Sequence, residues 1–289
     1  MLNVILVDSS YTSFHRFFAT LRWFSLAHME IFKVHKDNPS YDWSKQPLFI
    51  EKYTKMYLDS IINLVTRAVY ENCIIIFCLD SQNTTLWRHD IGECYKGKRQ
   101  DLSEKRNFKP TFQYTYNELI PNLTKLYNNA TESRQFIFMI HVHRMEADDL
   151  IALASRYIRY KKPNYIQYIV SGDNDFLQLG YKNLYIADYK KKELIHLSKE
   201  EAKEALRHKI INGDCSDNIP SIFLKELKVS NKDRKLIREN KQELLKYLNN
   251  NKSAMEQYLH NKKMISFKYI PKHFRKAVYR MVKRSIEQL

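Results

Sequence analysis

Four short apolar runs in this chain each end on acidic side chains, or meet them within a few residues. That recurrence constrains the fold more than any other feature. Asp8 closes NVILVD, and Asp80 closes IIIFCLD. Glu146, Asp148 and Asp149 follow FIFMIHVHRM, and Asp173 and Asp175 follow YIVSG. Apolar runs without polar alternation are the pattern of strands buried on both faces. Residues 3–7, 74–79, 136–142 and 166–170 are therefore expected as strands, with 184–187 as a further short one. Helical periodicity occupies 49–71 and 145–160, where Ala147, Leu150, Ile151, Ala154, Tyr157 and Ile158 share one face. Strand–helix alternation predicts the α/β class: a mostly parallel central sheet flanked by helices, with right-handed crossovers.

In an open parallel sheet, sites form beyond the carboxyl ends of the strands, so these acids should converge there. A single Asp after a strand is ordinarily a helix cap or turn residue. Four strand ends in register exceed that reading. Crowded carboxylates raise one another's pKa, and bound divalent cations resolve the conflict. Hard oxygen ligands suit Mg²⁺, with Mn²⁺ able to substitute, and the lack of clustered Cys or His argues against zinc. Two such ions roughly 3.5–4 Å apart can activate a water and stabilise the leaving oxygen of a phosphodiester.

The charge balance points the same way. Lys and Arg number 48 against 32 Asp and Glu, for a formal charge of +16 in 289 residues. That excess favours a polyanionic partner through counterion release. No apolar run is long enough to span a bilayer, and no signal peptide is visible. A soluble, cytoplasmic protein is expected, acting as a monomer without a membrane. The four cysteines form no CxxC pair, and Cys73 and Cys78 sit in an apolar run as core residues. Residues 87–116 are polar, basic, rich in aromatics and too long for an ordinary connection. From residue 197 the chain reads as basic helix. The expected organisation is an α/β core over 1–196, with an insertion at about 87–116, and a helical region over 197–289.

At this point the motifs resemble the flap endonuclease and 5′-3′ exonuclease superfamily, most closely the ribonuclease H enzymes of T-even-like phages. ILVDSS, FCLDS, MEADDLIA and SGDNDFLQL resemble its sheet-end motifs, and Gly213–Pro220 (GDCSDNIP) resembles its GDxSDNIPG signature. The resemblance implies the PIN-like 5′-nuclease fold and two ions. Asp8, Asp80, Glu146, Asp148 and Asp173 would hold the first. Asp149, Asp175, Asp214 and Asp217 would hold the second. Tyr95-Lys-Gly-Lys-Arg99 resembles the base of a helical arch that admits a free 5′ strand. There Lys96 and Arg99 would act in catalysis by neutralising the scissile phosphate, Tyr95 would stack on a base, and Arg88 and Lys98 would line the route. The family continues past Pro220 with glycines that form a helix–turn–helix. Here Ser221-Ile-Phe-Leu-Lys-Glu-Leu has none, which leaves a K⁺ site unsupported and passes duplex binding to residues such as Lys225 and Lys228.

The implied activity is Mg²⁺-dependent hydrolysis at 5′ ends of branched, nicked or RNA-primed duplexes, in removal of replication primers from DNA or RNA–DNA hybrid, within a host cytoplasm if the source is viral. A single-strand-binding protein or sliding clamp would be the replication partner, although no Gln-led clamp peptide is seen. Two alternatives stand beside this reading. A PIN-like ribonuclease would share the acidic sheet ends but lack the arch and the GDxSDNIP element. A catalytically silent branched-DNA-binding protein would have lost ligand carboxylates.

Overall fold

The computed structural model describes residues 2–82, 84–97, 107–129, 135–188 and 191–287. Its sheet is built from β1 (Asn3–Asp8), β2 (Cys73–Cys78), β3 (Phe136–Ile140), β4 (Ile166–Val170), β5 (Leu184–Asp188) and β6 (Glu193–Ile195). The strand order is β3-β2-β1-β4-β5-β6. The first five are parallel, and β6 joins β5 antiparallel. The helices are α1 (Ser9–Ala27), α2 (Met29–His35), α3 (Pro47–Val65), α4 (Arg67–Tyr70), α5 (Lys109–Tyr114), α6 (Ile120–Asn128), α7 (Ala147–Lys161), α8 (Lys199–Asn212), α9 (Asn231–Glu239), α10 (Lys241–Asn250), α11 (Lys252–Ile265) and α12 (Lys272–Glu287).

The unbroken apolar runs are explained by two cores, one on each face of the sheet. Val4, Leu6, Ile74 and Ile76 pack with Leu150 and Ile151 of α7 and Val278 and Val282 of α12. Their neighbours Ile5, Val7, Ile75 and Phe77 pack on the opposite face with Phe17 and Phe24 of α1 and Phe49, Tyr53 and Tyr57 of α3. Period-two alternation thus assigns successive side chains to different cores. Full burial of each large side chain contributes roughly 1.5–3 kcal/mol.

The chain runs outward from β1 through β2 to β3, then returns to place β4 on the other side of β1. The β1–β4 boundary is the topological switch point, where a crevice opens at the carboxyl edge. Asp8 ends β1 there, and Asp173 follows β4.

Several elements depart from the sequence expectations. The helix expected over 49–71 breaks at Thr66, whose φ of 73° separates α3 from α4. Helix α1 was not legible because Ser9, Thr12, Ser13 and Thr20 are buried among its apolar residues, which blurs the stripe. Strand β6 is three residues long and largely exposed. Ile211, Ile222, Phe223, Ile237, Leu244 and Leu248 form a small core of their own, but α12 returns to the sheet. Tyr279 of α12 meets Tyr157 of α7 with ring centroids 5.1 Å apart. No helix among the described residues is long and apolar enough to cross a membrane.

Candidate metal centre

Asp8, Asp80, Glu146, Asp148 and Asp173 line one cavity of about 800 Å³ at the carboxyl edge of the sheet, together with Lys96. Three of the acids also perform the bland task of their residue type. Asp8 caps α1, with Oδ1 accepting from Tyr11 N at 3.0 Å, and its Oδ2 accepts from Ser171 Oγ at 3.0 Å. Asp173 caps the next turn, accepting from Asp175 N at 2.9 Å. Asp80 Oδ1 takes the first N–H of α7, from Ala147, at 2.6 Å. These bonds orient the carboxylates without filling every lone pair. Capping and ligand roles are therefore compatible.

Crowding sets the electrostatics. Burial, then Asp80 and Asp173, push the Asp8 carboxyl up to about 7. Burial, then Asp149, hold Asp148 well above the usual carboxylate range. Glu146 goes the other way. Burial opposes its ionisation, but Lys96 and Arg88 outweigh it and hold the carboxyl at about 2. Lys96 Nζ donates to Glu146 Oε1, and Arg88 Nη1 to Oε2 at 2.8 Å. A set of hard oxygen donors that resists shared ionisation fits a divalent cation.

Arg88, Tyr95 and Asp149 depart from their expected roles. Arg88 lies beneath the cavity, 3% exposed, and cannot line a route for a strand. Its guanidinium donates to Asp149 Oδ1 at 2.7 Å, to Asp149 Oδ2 at 2.9 Å and to the Met264 carbonyl at 2.9 Å. Trp87 Nε1 adds a bond to Asp149 Oδ2 at 2.6 Å. Asp149 is fully buried and sits with Glu146 and Asp148, within 4.8 Å, rather than with the second acidic group. That spacing alone would admit an ion, but three N–H groups already point at its two oxygens. Asp149 serves as the anchor of Arg88. Tyr95 is buried too, its hydroxyl donating to Glu146 Oε2 at 2.9 Å and Asp217 Oδ2 at 3.2 Å, so its ring is not offered to a base. Basic and aromatic residues in a polar segment read as surface, and the reading failed because buried carboxylates required buried partners.

Asp175, Asp214 and Asp217 make a second group, also within 4.8 Å of one another. The turn Gly213–Pro220 builds it. Asp214 and Ile219 exchange both backbone hydrogen bonds, at 2.7 and 2.8 Å, closing the loop. Gly213 sits at φ 71°, where an added Cβ would run into the Ile219 carbonyl and Pro220. Asp217 is buried against the residue 94–97 segment: its carbonyl accepts from Lys96 N at 3.1 Å, and Asn218 Nδ2 donates to the Cys94 carbonyl at 3.0 Å. Sequence reasoning missed Lys209. From the last turn of α8 its ammonium meets Asp175 and, at 2.8 Å, Asp214. Burial opposes ionisation of Asp214, but the bonds from Lys209 and Ser216 hold its carboxyl below the usual range. Its position five residues before Asp214, on a helix entering the turn, was the available signal.

Also missed was an aromatic wall. Tyr11, Phe14, Phe108 and Phe112 line the carboxylate cavity, with Phe14 and Phe108 ring centroids 5.6 Å apart. Lys98 and Arg99, with the rest of residues 98–106 of the expected arch, lie outside the described residues. Lys225 and Lys228 are exposed on the turn between α8 and α9. Lys228 takes a left-handed conformation, φ 44°, so the turn forms without the expected glycine.

A mostly parallel sheet with acidic strand ends gathered at its switch point defines the 5′-nuclease, PIN-like class of fold. Residues 3–207 match the model of the 5′-3′ exonuclease N-terminal resolvase-like domain, and the chain belongs to that family. A 5′-3′ exonuclease of Mycoplasmopsis pulmonis is 30% identical over 174 residues, 58% of this chain and 52% of that protein. Ribonuclease H of phage T4 is 26% identical over 149 residues, 51% of this chain and 46% of that one. The chain thus spans about half the length of these curated relatives. A phage T5 flap endonuclease solved with DNA and metal ions superposes with a TM-score of 0.59 at 15% identity, over 99% of this chain and 100% of that one. A T5 protein co-crystallised with metal ions gives 0.60 at 15% identity, over 98% and 99%. At that identity the likeness establishes the shared fold.

Proposed function

We propose that the chain is a two-metal-dependent 5′-3′ exonuclease and flap endonuclease that hydrolyses phosphodiester bonds at 5′ ends of branched, nicked or RNA-primed duplexes, in the removal of replication primers. The observation that carries this reading is the convergence of five strand-end carboxylates on one cavity, with a second triad held beside it by Tyr95. Asp8, Asp80, Glu146, Asp148 and Asp173 would hold one ion. Asp175, Asp214 and Asp217 would hold the other. Magnesium, or manganese in its place, supplies Lewis-acid stabilisation of developing phosphate charge and lowers the pKa of water.

The chain's own groups do the rest. Lys96, at the cavity wall and tethered to Glu146, offsets charge on the scissile phosphate, and Arg99 and Lys98 are assigned to the same strand from their sequence position. Tyr11, Phe14, Phe108 and Phe112 replace Tyr95 as the surface against which a base can stack. Lys225 and Lys228 grip the duplex backbone without reading sequence. The setting is cytoplasmic, with a single-strand-binding protein or clamp as replication partner.

The test is incubation of 5′-labelled flap, nicked, gapped and RNA-primed duplexes with Mg²⁺, followed by mapping of product lengths. Short 5′ products from nicks indicate exonuclease action, and release of an intact flap indicates endonuclease action. No cleavage of any substrate with Mg²⁺ or Mn²⁺, despite binding, would return the silent branch-binding reading.

A further inference from the structure

A cavity of about 590 Å³ lies between α7, α8 and the start of α12, with none of the candidate metal-site carboxylates in its lining. Its lining includes Arg156, Arg159, Lys199, Lys203, Lys268 and Arg275, and no acidic residue. The chain as a whole carries three cations for every two acids, 48 against 32, so six cations with no acid is a departure from its average surface. Among the described residues no ion pair engages Arg156, Arg159, Lys199, Lys268 or Arg275. Lys203 has one exposed partner, Glu200 at 3.7 Å, a pair of little energetic value. Like charges gathered in one concavity repel unless an anion neutralises them, and a lined concavity focuses the field.

The walls are built. Gln178 binds across to the C-terminal region, donating to the Ile265 carbonyl at 3.2 Å and accepting from Phe267 N at 3.1 Å. Arg275 is braced by the Ile270 and Lys268 carbonyls at 2.7 and 3.0 Å, which fixes its fork at the cavity edge. Gly180 lets the neighbouring loop approach α8 so closely that a Cβ would strike the Ser198 carbonyl and Ala202. Three separate segments therefore present their cations to one space.

We propose that this cavity is a second anion site, which holds backbone phosphates of the nucleic-acid substrate at a distance from the cleavage centre. The inference rests on the nuclease reading above and extends it to a place where the substrate is held. Phosphate, rather than a base, is the group recognised. Tyr181 is the aromatic residue of the lining, and Arg159 already stands over its ring at 4.7 Å while Ser155 binds its hydroxyl. Arg156 and Arg159 lie nine and twelve residues beyond Ala147 along α7, and at 1.5 Å per residue this is about 14 and 18 Å from the carboxylate end. At about 3.4 Å per nucleotide, contact with both places needs a nucleic acid longer than about four to five nucleotides.

The test is the triple substitution Arg156→Gln, Lys199→Gln and Lys268→Gln, three side chains engaged in no ion pair among the described residues, so thermal stability should be unchanged. Binding of a labelled branched duplex is measured by fluorescence anisotropy in EDTA across a salt series. Kd is expected to rise about tenfold or more near 0.1 M salt, and the slope of log K against log salt to shrink by about 2–3. With hairpin-closed arms of about four base pairs, wild type and variant should bind alike, whereas arms of about sixteen should separate them. Equal affinity and slope for every arm length would overturn the site. Inorganic triphosphate binding to wild type but not to the variant, with duplex binding unchanged, would also overturn it in favour of a small-phosphate site. Wild type that binds no branched duplex at all would instead defeat the nuclease reading.

Discussion

Arg88 and Asp149 form a two-pronged ion pair with both partners removed from solvent, Nη2 to Oδ1 at 2.7 Å and Nη1 to Oδ2 at 2.9 Å. Burial works against the charge of Arg88, but Asp149, Asp148, Tyr95 and Glu146 together outweigh it and hold its pKa above the ordinary value. The same guanidinium holds Glu146 and the last turn of α11 through the Met264 carbonyl. A permanent cation thus stands under the carboxylate cavity and joins it to the C-terminal helices.

Arg88→Ala should therefore lower the unfolding free energy by about 3–5 kcal/mol, the cost of leaving buried carboxylates unpaired. Arg88→Lys should recover only part of that, because an ammonium is a point charge and cannot bridge both oxygens of Asp149. Urea denaturation checks both. An unchanged midpoint for Arg88→Ala would show the pair to be energetically idle.

Asp173→Asn should cut cleavage by about a hundredfold or more while sparing substrate binding, since loss even of groups behind metal ligands costs 10–100-fold. Asn keeps the oxygen that caps the following turn, so the fold should persist. Single-turnover cleavage with a parallel binding assay separates the two. Full activity would remove Asp173 from the site.

The carboxyl of Asp8, raised to about 7, ties stability to pH in metal-free protein. A raised folded pKa means that the native state binds the proton more tightly, so this contribution is complete below the unfolded pKa of about 4 and is lost as pH rises through about 7. Glu146, lowered to about 2, has the opposite sign, and its contribution is lost only as pH falls below about 4.5. Melting temperature in EDTA should thus fall between about pH 5 and 7. Asp8→Asn should flatten that fall. Divalent metal binding near neutral pH should release protons, as calorimetry in buffers of different ionisation heat would report. A melting temperature in EDTA that rises with pH over that window would contradict the assignment.

Lys209 places an ammonium among Asp175 and Asp214, where it competes with a second divalent ion. Lys209→Met should strengthen binding of Mn²⁺ at this triad by roughly tenfold, given the coulombic interaction of charges at this separation. Titration of Mn²⁺ followed by paramagnetic resonance reads the affinity directly. Weaker binding in the variant would mean that the lysine shapes the site instead of occupying it.

Much of the fold was legible because apolar runs and acidic strand ends are local patterns. Asp8, Asp80, Glu146, Asp148 and Asp173 were found from strand ends and motif resemblance together, and they line one cavity. Gly213, Asp214 and Asp217 stood out in one octapeptide through motif resemblance, and that octapeptide folds as a turn closed by its own backbone bonds. Sequence alone therefore determined the sheet, the edge at which the acids gather and the basic character of the molecule. Tertiary structure decided which charges face solvent. Arg88 and Tyr95 belong by composition to a basic, aromatic surface segment, yet both are buried because carboxylates at 0–7% exposure need donors from elsewhere in the chain. Lys209, the return of α12 to the sheet and the cationic cavity beside α7 depend on contacts between segments far apart in sequence. Periodicity records which face of an element is apolar. It does not record which distant element will cover that face, and burial follows from that choice.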